Sequence, residues 1–288
     1  MNYRHVYHAG NFADVLKHAV LALVIEHLKL KPAPFRVVDT HAGIGLYDLT
    51  SEEAQKTAEW KDGIGRVLAA KRSPAVETAL APYLAIVDEE HDGGAELARY
   101  PGSPLIARRL LREGDTLVVN EAHPADHETL QDLFHRDKQV KVLGLDGWTA
   151  LKSLLPPKER RGLVLVDPPF EEPGEFQRMA DGLDAAARRF ATGTVMMWYP
   201  IKDQRAVDRF RRSVTALAIP KLYSIEVTIR AVRTTTELSG SGLLILNPPF
   251  TLPGKLDALL PFLAKTLARG QGAGFRADWL TGEHASPA

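Results

Sequence analysis

Asp167-Pro168-Pro169-Phe170 places a carboxylate, two rigid residues and an aromatic ring in four consecutive positions. That set can grip a planar amino group: the carboxylate and a proline carbonyl accept its N–H protons while the ring stacks on its plane. Asn247-Pro248-Pro249-Phe250 offers a similar grip with a neutral amide. Further acids close short apolar runs at Asp39, Glu121 and Asp146. Any one of them serves as a loop cap as readily as a ligand contact; with Asp167, the four together point to a site. Gly43 and Gly45 follow the first run, where glycine lets backbone approach a ligand closely. Asp48 stands where a third glycine would complete the dinucleotide fingerprint. The loop therefore suits S-adenosylmethionine better than a nicotinamide cofactor, and hydride transfer has no use for Asp-Pro-Pro-Phe.

These residues need strands to carry them. Residues 35–41, 115–121, 140–146, 162–168 and 193–200 are short apolar runs ending in a polar residue or proline, as in strands buried on both faces. Helical patterns such as 125–137 and 175–191 lie between them. The alternation predicts an α/β fold with a parallel, doubly wound sheet and ligands at the carboxyl ends of its strands. A helix over 103–113 is expected, with Ser103 as N-cap, Pro104 in its first turn and Gly114 closing it. Asn11 is the expected cap of a helix through Val15, Leu16, Ala19, Val20 and Leu23.

Residues 49–100 interrupt the first crossover and read as a small helical insertion. Gly45 and Glu121 are 121 − 45 = 76 positions apart; without those 52 residues the spacing is 24, near the roughly 20 of a dinucleotide-binding unit. The expected organisation is one α/β domain of residues 1–48 and 101–288 with an insertion subdomain of 49–100. Two runs, 221–232 and 240–248, are joined by too short a segment for a parallel crossover, so they pair antiparallel.

Formal net charge is zero, so global charge does not announce nucleic-acid binding. Residues 201–233 nevertheless hold 8 Lys/Arg against 3 Asp/Glu, a candidate phosphate-binding patch that includes Arg209, Arg211 and Arg212. There is no cysteine, which excludes disulfides and thiol chemistry and fits a cytoplasmic enzyme. His5, His8, His18 and His41 lack metal-ligand spacing, so no metal is expected. No run is long and apolar enough for a membrane span or a signal peptide.

The glycine loop and the strand-end acids resemble the seven-stranded class of S-adenosylmethionine-dependent methyltransferases. The resemblance implies that Glu121 takes the ribose hydroxyls and Asp146 the adenine amine of the cofactor, while Asp167, Pro168 and Phe170 carry catalysis on a planar amino group. More specific stretches are "YRHVYHAGNFADVLKH" (3–18), "DTHAGIG" (39–45), "YPGSPLIAR" (100–108), "NEAHP" (120–124) and "RRGLVLVDPPF" (160–170). Together these are similar, over essentially the whole chain, to the RlmJ family of 23S ribosomal RNA adenine N6-methyltransferases. That likeness implies cofactor contacts at Lys17, His18, His41, Gly43, Ser103, Glu121, Asp146, Gly147 and Asp167, and target-base contacts at Tyr3, His5 and Phe170. It implies a Rossmann-like sheet whose last strand runs opposite to the others, so that Asn247–Phe250 leaves on the face away from the cofactor. His41 replaces the usual first loop glycine, and Phe170 stands where tyrosine is common; stacking needs only the ring. The expected partner is 23S ribosomal RNA, naked or early in assembly, and the expected state a monomer. Amino-group transfer to DNA adenine, guanine N2 or a protein glutamine remains an alternative, as does a non-catalytic RNA-binding assembly factor.

Overall fold

The computed structural model describes residues 5–91 and 97–282. A short 3-10 helix, His5–Tyr7, leads into α1 (Phe12–Lys29). Asn11 caps α1 as expected, its side-chain oxygen accepting from the Ala13 and Asp14 N–H groups at 2.9 and 3.1 Å. α1 is buried almost all round, which its apolar sequence requires. β1 (Arg36–Asp39) and β2 (Leu46–Asp48) follow, then α2 (Glu52–Thr57), α3 (Glu59–Asp62), α4 (Ile64–Ala69) and α5 (Pro74–Glu89). β3 (Arg99–Pro101) returns to pair antiparallel with β2. The helical segment thus leaves and rejoins the chain through one small two-stranded neck. Its α5 packs against α1 and shares one apolar core with it.

α6 (Ser103–Leu110) precedes β4 (Thr116–Asn120), α7 (Pro124–Leu133), β5 (Val140–Leu143) and α8 (Gly147–Ser153). Here the structure corrects the expected helix start: Gly102 is the N-cap, because the Ser103 hydroxyl donates elsewhere, to Asp39. The helix also ends at Leu110 rather than running to Gly114. Then come β6 (Gly162–Val166), α9 (Glu175–Arg189), β7 (Thr194–Ile201), α10 (Gln204–Ala216), β8 (Leu222–Thr228), β9 (Gly240–Leu246), α11 (Leu252–Thr266) and β10 (Gly274–Thr281).

The main sheet has eight strands in the order β10-β8-β9-β7-β6-β1-β4-β5, one more than the expected seven. The extra strand, β10, lies at an edge, antiparallel to β8. Its half-exposed face carries Arg276 and Asp278 among apolar residues, so it lacks the continuous apolar run that marked the inner strands. β7, β6, β1, β4 and β5 are mutually parallel. β9 is antiparallel to both β7 and β8, so it alone among the inner strands runs backwards. Apolar layers cover both faces, one around α1, α5 and α11 and one around α9 and α10.

The reversal of β9 sends the two proline motifs to opposite ends of the sheet. Asn247 donates its amide to the carbonyls of Ala191 and Gly193, at 2.8 and 2.9 Å, just before β7 begins. It lies at the amino ends of the parallel strands, where it ties two strand ends together. Asp167 follows β6 directly and lies at their carboxyl ends.

The basic patch also needs correction. Arg211 is buried, donating to Ser224 at 2.7 Å and pairing with Glu226 at 3.1 Å and Asp278 at 2.7 Å. The Tyr199 hydroxyl donates to the same Glu226 at 2.8 Å. Arg211 faces inward because α10 presents that side to the sheet. Arg209 and Arg212 remain exposed.

Candidate active site

A cleft of about 340 Å³ opens at the carboxyl ends of β1, β4, β6 and β7. Asp167 is its central carboxylate. The Lys17 ammonium from α1 pairs with Asp167 Oδ2 and with Asp14 Oδ1, the latter at 2.8 Å. Asp14 in turn takes His5 Nε2 and the Gly10 N–H, each at 2.9 Å. Burial opposes charge on Asp14, but His5 and Lys17 outweigh it and hold its carboxyl well below the usual range. Burial likewise opposes the Lys17 ammonium, and Asp14 and Asp167 overcome it, so Lys17 stays charged. Phe170 sits at φ +53°, a left-handed conformation that costs a non-glycine residue about 1–3 kcal/mol. Its ring stands edge-on to Phe176 at 5.0 Å and to Trp198 at 6.0 Å. The strained turn and these rings fix an aromatic wall beside the acid.

The glycine loop is pinned to the next acid. Glu121 Oε2 accepts the Gly43 N–H and Oε1 the His123 N–H, both at 2.8 Å. A carboxylate has further lone pairs, so it can still accept hydroxyl donors. Gly43 adopts φ +61°, and a Cβ there would meet the Tyr47 hydroxyl at 2.3 Å. Ser103 donates to Asp39 at 2.6 Å. Burial raises the Asp39 carboxyl to about 7, and the Ser103 hydrogen bond only partly offsets this. An unfolded Asp titrates near ~4, so across roughly pH 4 to 7 the folded chain binds the extra proton. The stability contributed by neutral Asp39 is present below that window and lost as pH rises through it. Asp39→Asn, which stays neutral, therefore gains stability relative to the parent as pH rises from about 5 to about 8, read as urea midpoints at both values.

Lys17, His18, His41, Gly43, Ser103, Glu121, Asp167, Pro168, Phe170 and His5 all line this cleft. Asp146 and Gly147 do not. Asp146 is exposed at the N-cap of α8, where Oδ1 accepts the Thr149 N–H at 2.8 Å. Gly147 lies behind His41: a Cβ there would come within 2.2 Å of His41 Nε2. His41 Nδ1 is meanwhile tied to Thr40 Oγ1 at 2.8 Å, and burial lowers its pKa. Gly147→Ala should push the imidazole into the cleft and weaken S-adenosylmethionine binding by about tenfold, a loss of roughly 1.4 kcal/mol by calorimetry. Tyr3 lies outside the described residues.

Residues 32–281 match the family described as ribosomal RNA large subunit methyltransferase D, RlmJ. The ribosomal RNA large subunit methyltransferase J of Haemophilus influenzae is 41% identical over 283 residues, 98% of this chain and 100% of that protein. The Escherichia coli K12 protein of the same name is 40% identical over the same shares. This chain belongs to the RlmJ family. A crystal structure of a Legionella pneumophila protein, 32% identical, superposes with a TM-score of 0.85 over 94% of this chain and 98% of that one.

As an RlmJ-family member the protein is an S-adenosylmethionine-dependent methyltransferase with a ribosomal RNA substrate. The cleft fits that cofactor. A glycine loop with no Cβ faces it, carboxylates offer acceptors to hydroxyls, and the start of α6 supplies N–H groups suited to a carboxylate. Buried His18 Nε2 has no hydrogen-bond partner among the described residues. Sequence reasoning overlooked Asp14, Tyr47, Trp198 and Lys202, which also line the cleft. Trp198 and Lys202 were discoverable, because they stand at the carboxyl end of a run already read as a parallel strand. Asp14 had a weaker signal: it lies three positions before Lys17 on one helix face.

Proposed function

We propose that this protein transfers a methyl group to the N6 amino group of one adenine in 23S ribosomal RNA. The observation that carries this reading is Asp167-Pro168-Pro169-Phe170 at the carboxyl end of β6, opening into the same cleft as the glycine loop. Bound S-adenosylmethionine supplies an electrophilic methyl group. Lys17, His18, His41, Gly43, Ser103, Glu121 and Asp167 would hold it, with Asp146 and Gly147 contributing from the N-cap and first turn of α8.

The adenine amine is a poor nucleophile because its lone pair is delocalised into the ring. Asp167 and the Pro168 carbonyl accept its two N–H protons and favour a more tetrahedral nitrogen. Lys17 occupies Oδ2 of Asp167, leaving Oδ1 for the amine. Asp167 takes the proton as the C–N bond forms, so it need not be a strong base. Phe170 stacks on the base, repaying part of the cost of splaying it from structured RNA. His5, which lines the cleft, covers the base from the N-terminal segment. Positioning for in-line attack supplies much of the rate.

Residues 49–100 are the inserted unit in this reading, and the protein acts as a cytoplasmic monomer on naked or early-assembly RNA. No helix among the described residues is long and apolar enough to cross a membrane. Exposed Arg209 and Arg212 contact phosphates. Replacing both with alanine should weaken RNA binding and reduce the slope of log affinity against log salt by about 1 to 2; an unchanged slope removes α10 from the RNA path. The reading itself is tested by labelled methyl transfer to 23S transcript, small-subunit RNA and assembled large subunits. Labelling of the 23S transcript alone is expected. Labelling of small-subunit RNA, or no labelling of the 23S transcript, would refute it.

A further inference from the structure

A chain of buried hydroxyls ends at the cleft without entering the transfer chemistry above. Tyr83 on α5 and Tyr100 on β3 are both fully buried, and their hydroxyls are 2.8 Å apart. The Tyr100 hydroxyl is also 2.8 Å from His18 Nδ1, and the two rings stack with centroids 5.6 Å apart. His18 is buried and lines the cleft. Among the described residues its Nε2 has no hydrogen-bond partner, and the Asp14 Oδ1 atom stands 3.8 Å away.

We propose that Tyr83 and Tyr100 form a relay that locks His18 as its Nε2–H tautomer, so that His18 presents a donor to a carboxylate or carbonyl oxygen of the bound cofactor. Two proton arrangements are possible along the chain. In the first, Tyr83 donates to Tyr100 and Tyr100 donates to Nδ1. Both hydroxyl protons are then used, and the remaining ring proton sits on Nε2. In the second, Nδ1–H donates to Tyr100 and Tyr100 donates to Tyr83. The Tyr83 proton is then sealed in the core unpaired, which costs a buried donor its full desolvation. The second arrangement also turns the bare Nε2 lone pair toward the Asp14 carboxylate, whereas the first turns an N–H toward it. Both effects select the first.

Other properties of the cluster agree. Burial lowers the His18 pKa to about 3 against the opposing pull of Asp14, so the ring is neutral and must choose one tautomer. Burial pushes both tyrosine hydroxyls far above their usual range, so each keeps its proton. Tyr83 and Tyr100 are therefore positioning residues that act through His18, and they give the helical segment a direct part in the site. The ligand half of the proposal rests on the cleft being the cofactor cleft; the tautomer half does not.

The test uses the full chain labelled with nitrogen-15 histidine, with the His18 signals identified by their loss in His18→Asn. Long-range proton–nitrogen spectra near neutral pH should show a protonated Nε2 and a bare, hydrogen-bonded Nδ1. A protonated Nδ1 would overturn the relay. Tyr100→Phe and Tyr83→Phe remove single hydroxyls and keep the ring volume, and melting curves verify that each folds. Tyr100→Phe should shift the Nδ1 resonance and weaken S-adenosylmethionine binding about fivefold by calorimetry, with a smaller loss for Tyr83→Phe. Unchanged affinity in both variants would overturn the link to the ligand. Failure of the parent to bind S-adenosylmethionine, with Nε2 protonated, would leave the relay standing and refute the cofactor reading.

Discussion

Asp167→Ala should abolish methyl transfer, lowering the single-turnover rate by about a thousandfold, the scale of losing a preorganised polar contact at a reacting group. RNA affinity should stay within about twofold, because the phosphate contacts that dominate it lie elsewhere. The fold should survive. Lys17 retains Asp14 at 2.8 Å, so no buried charge is stranded. Quenched-flow transfer assays and a gel-shift titration on the same preparation separate the two effects. Full activity in this variant would show that the catalytic motif has been misassigned.

The second large effect concerns the cation behind that acid. Lys17→Met removes the charge shared by Asp14 and Asp167. Asp14 has a side chain only 1% exposed, and stranding a buried charge costs about 3–5 kcal/mol. A drop of that order is expected in the urea unfolding free energy, with transfer nearly lost. The double variant Asp14→Asn with Lys17→Met should recover about 1–3 kcal/mol of stability, because the stranded charge is gone. It should not recover transfer, because Asp167 still lacks the ammonium that fixes it. Equal recovery of both would mean that Lys17 serves the fold alone.

The parallel core of the sheet and the placement of Asp167 at its carboxyl end were legible in the sequence for a physical reason. Strands buried on both faces leave continuous apolar runs, and parallel strands deliver their terminal residues to one side. Short connections force antiparallel pairing, which is why the reversal of β9 and the fate of Asn247 could be read before any coordinates. β10 was not legible, because a half-exposed edge strand carries Arg276 and Asp278 within its run. β2 and β3 are three residues each and are joined only after a long helical excursion, so no local pattern announces them. Arg211 shows the limit of charge counting: its neighbours on α10 face solvent, and only its buried partners Ser224, Glu226 and Asp278 reveal that it faces the sheet. Asp146 follows the end of β5 by three residues, and in that interval the chain leaves it exposed as the N-cap of α8.

The most direct test of the central claim combines unmodified 23S RNA transcript, this protein and S-adenosylmethionine, followed by digestion and mass spectrometry of the nucleosides. The account predicts new N6-methyladenosine, absent when Asp167→Ala replaces the parent protein. Cofactor binding without any methylated adenosine, or methylation at another base or position, would contradict it.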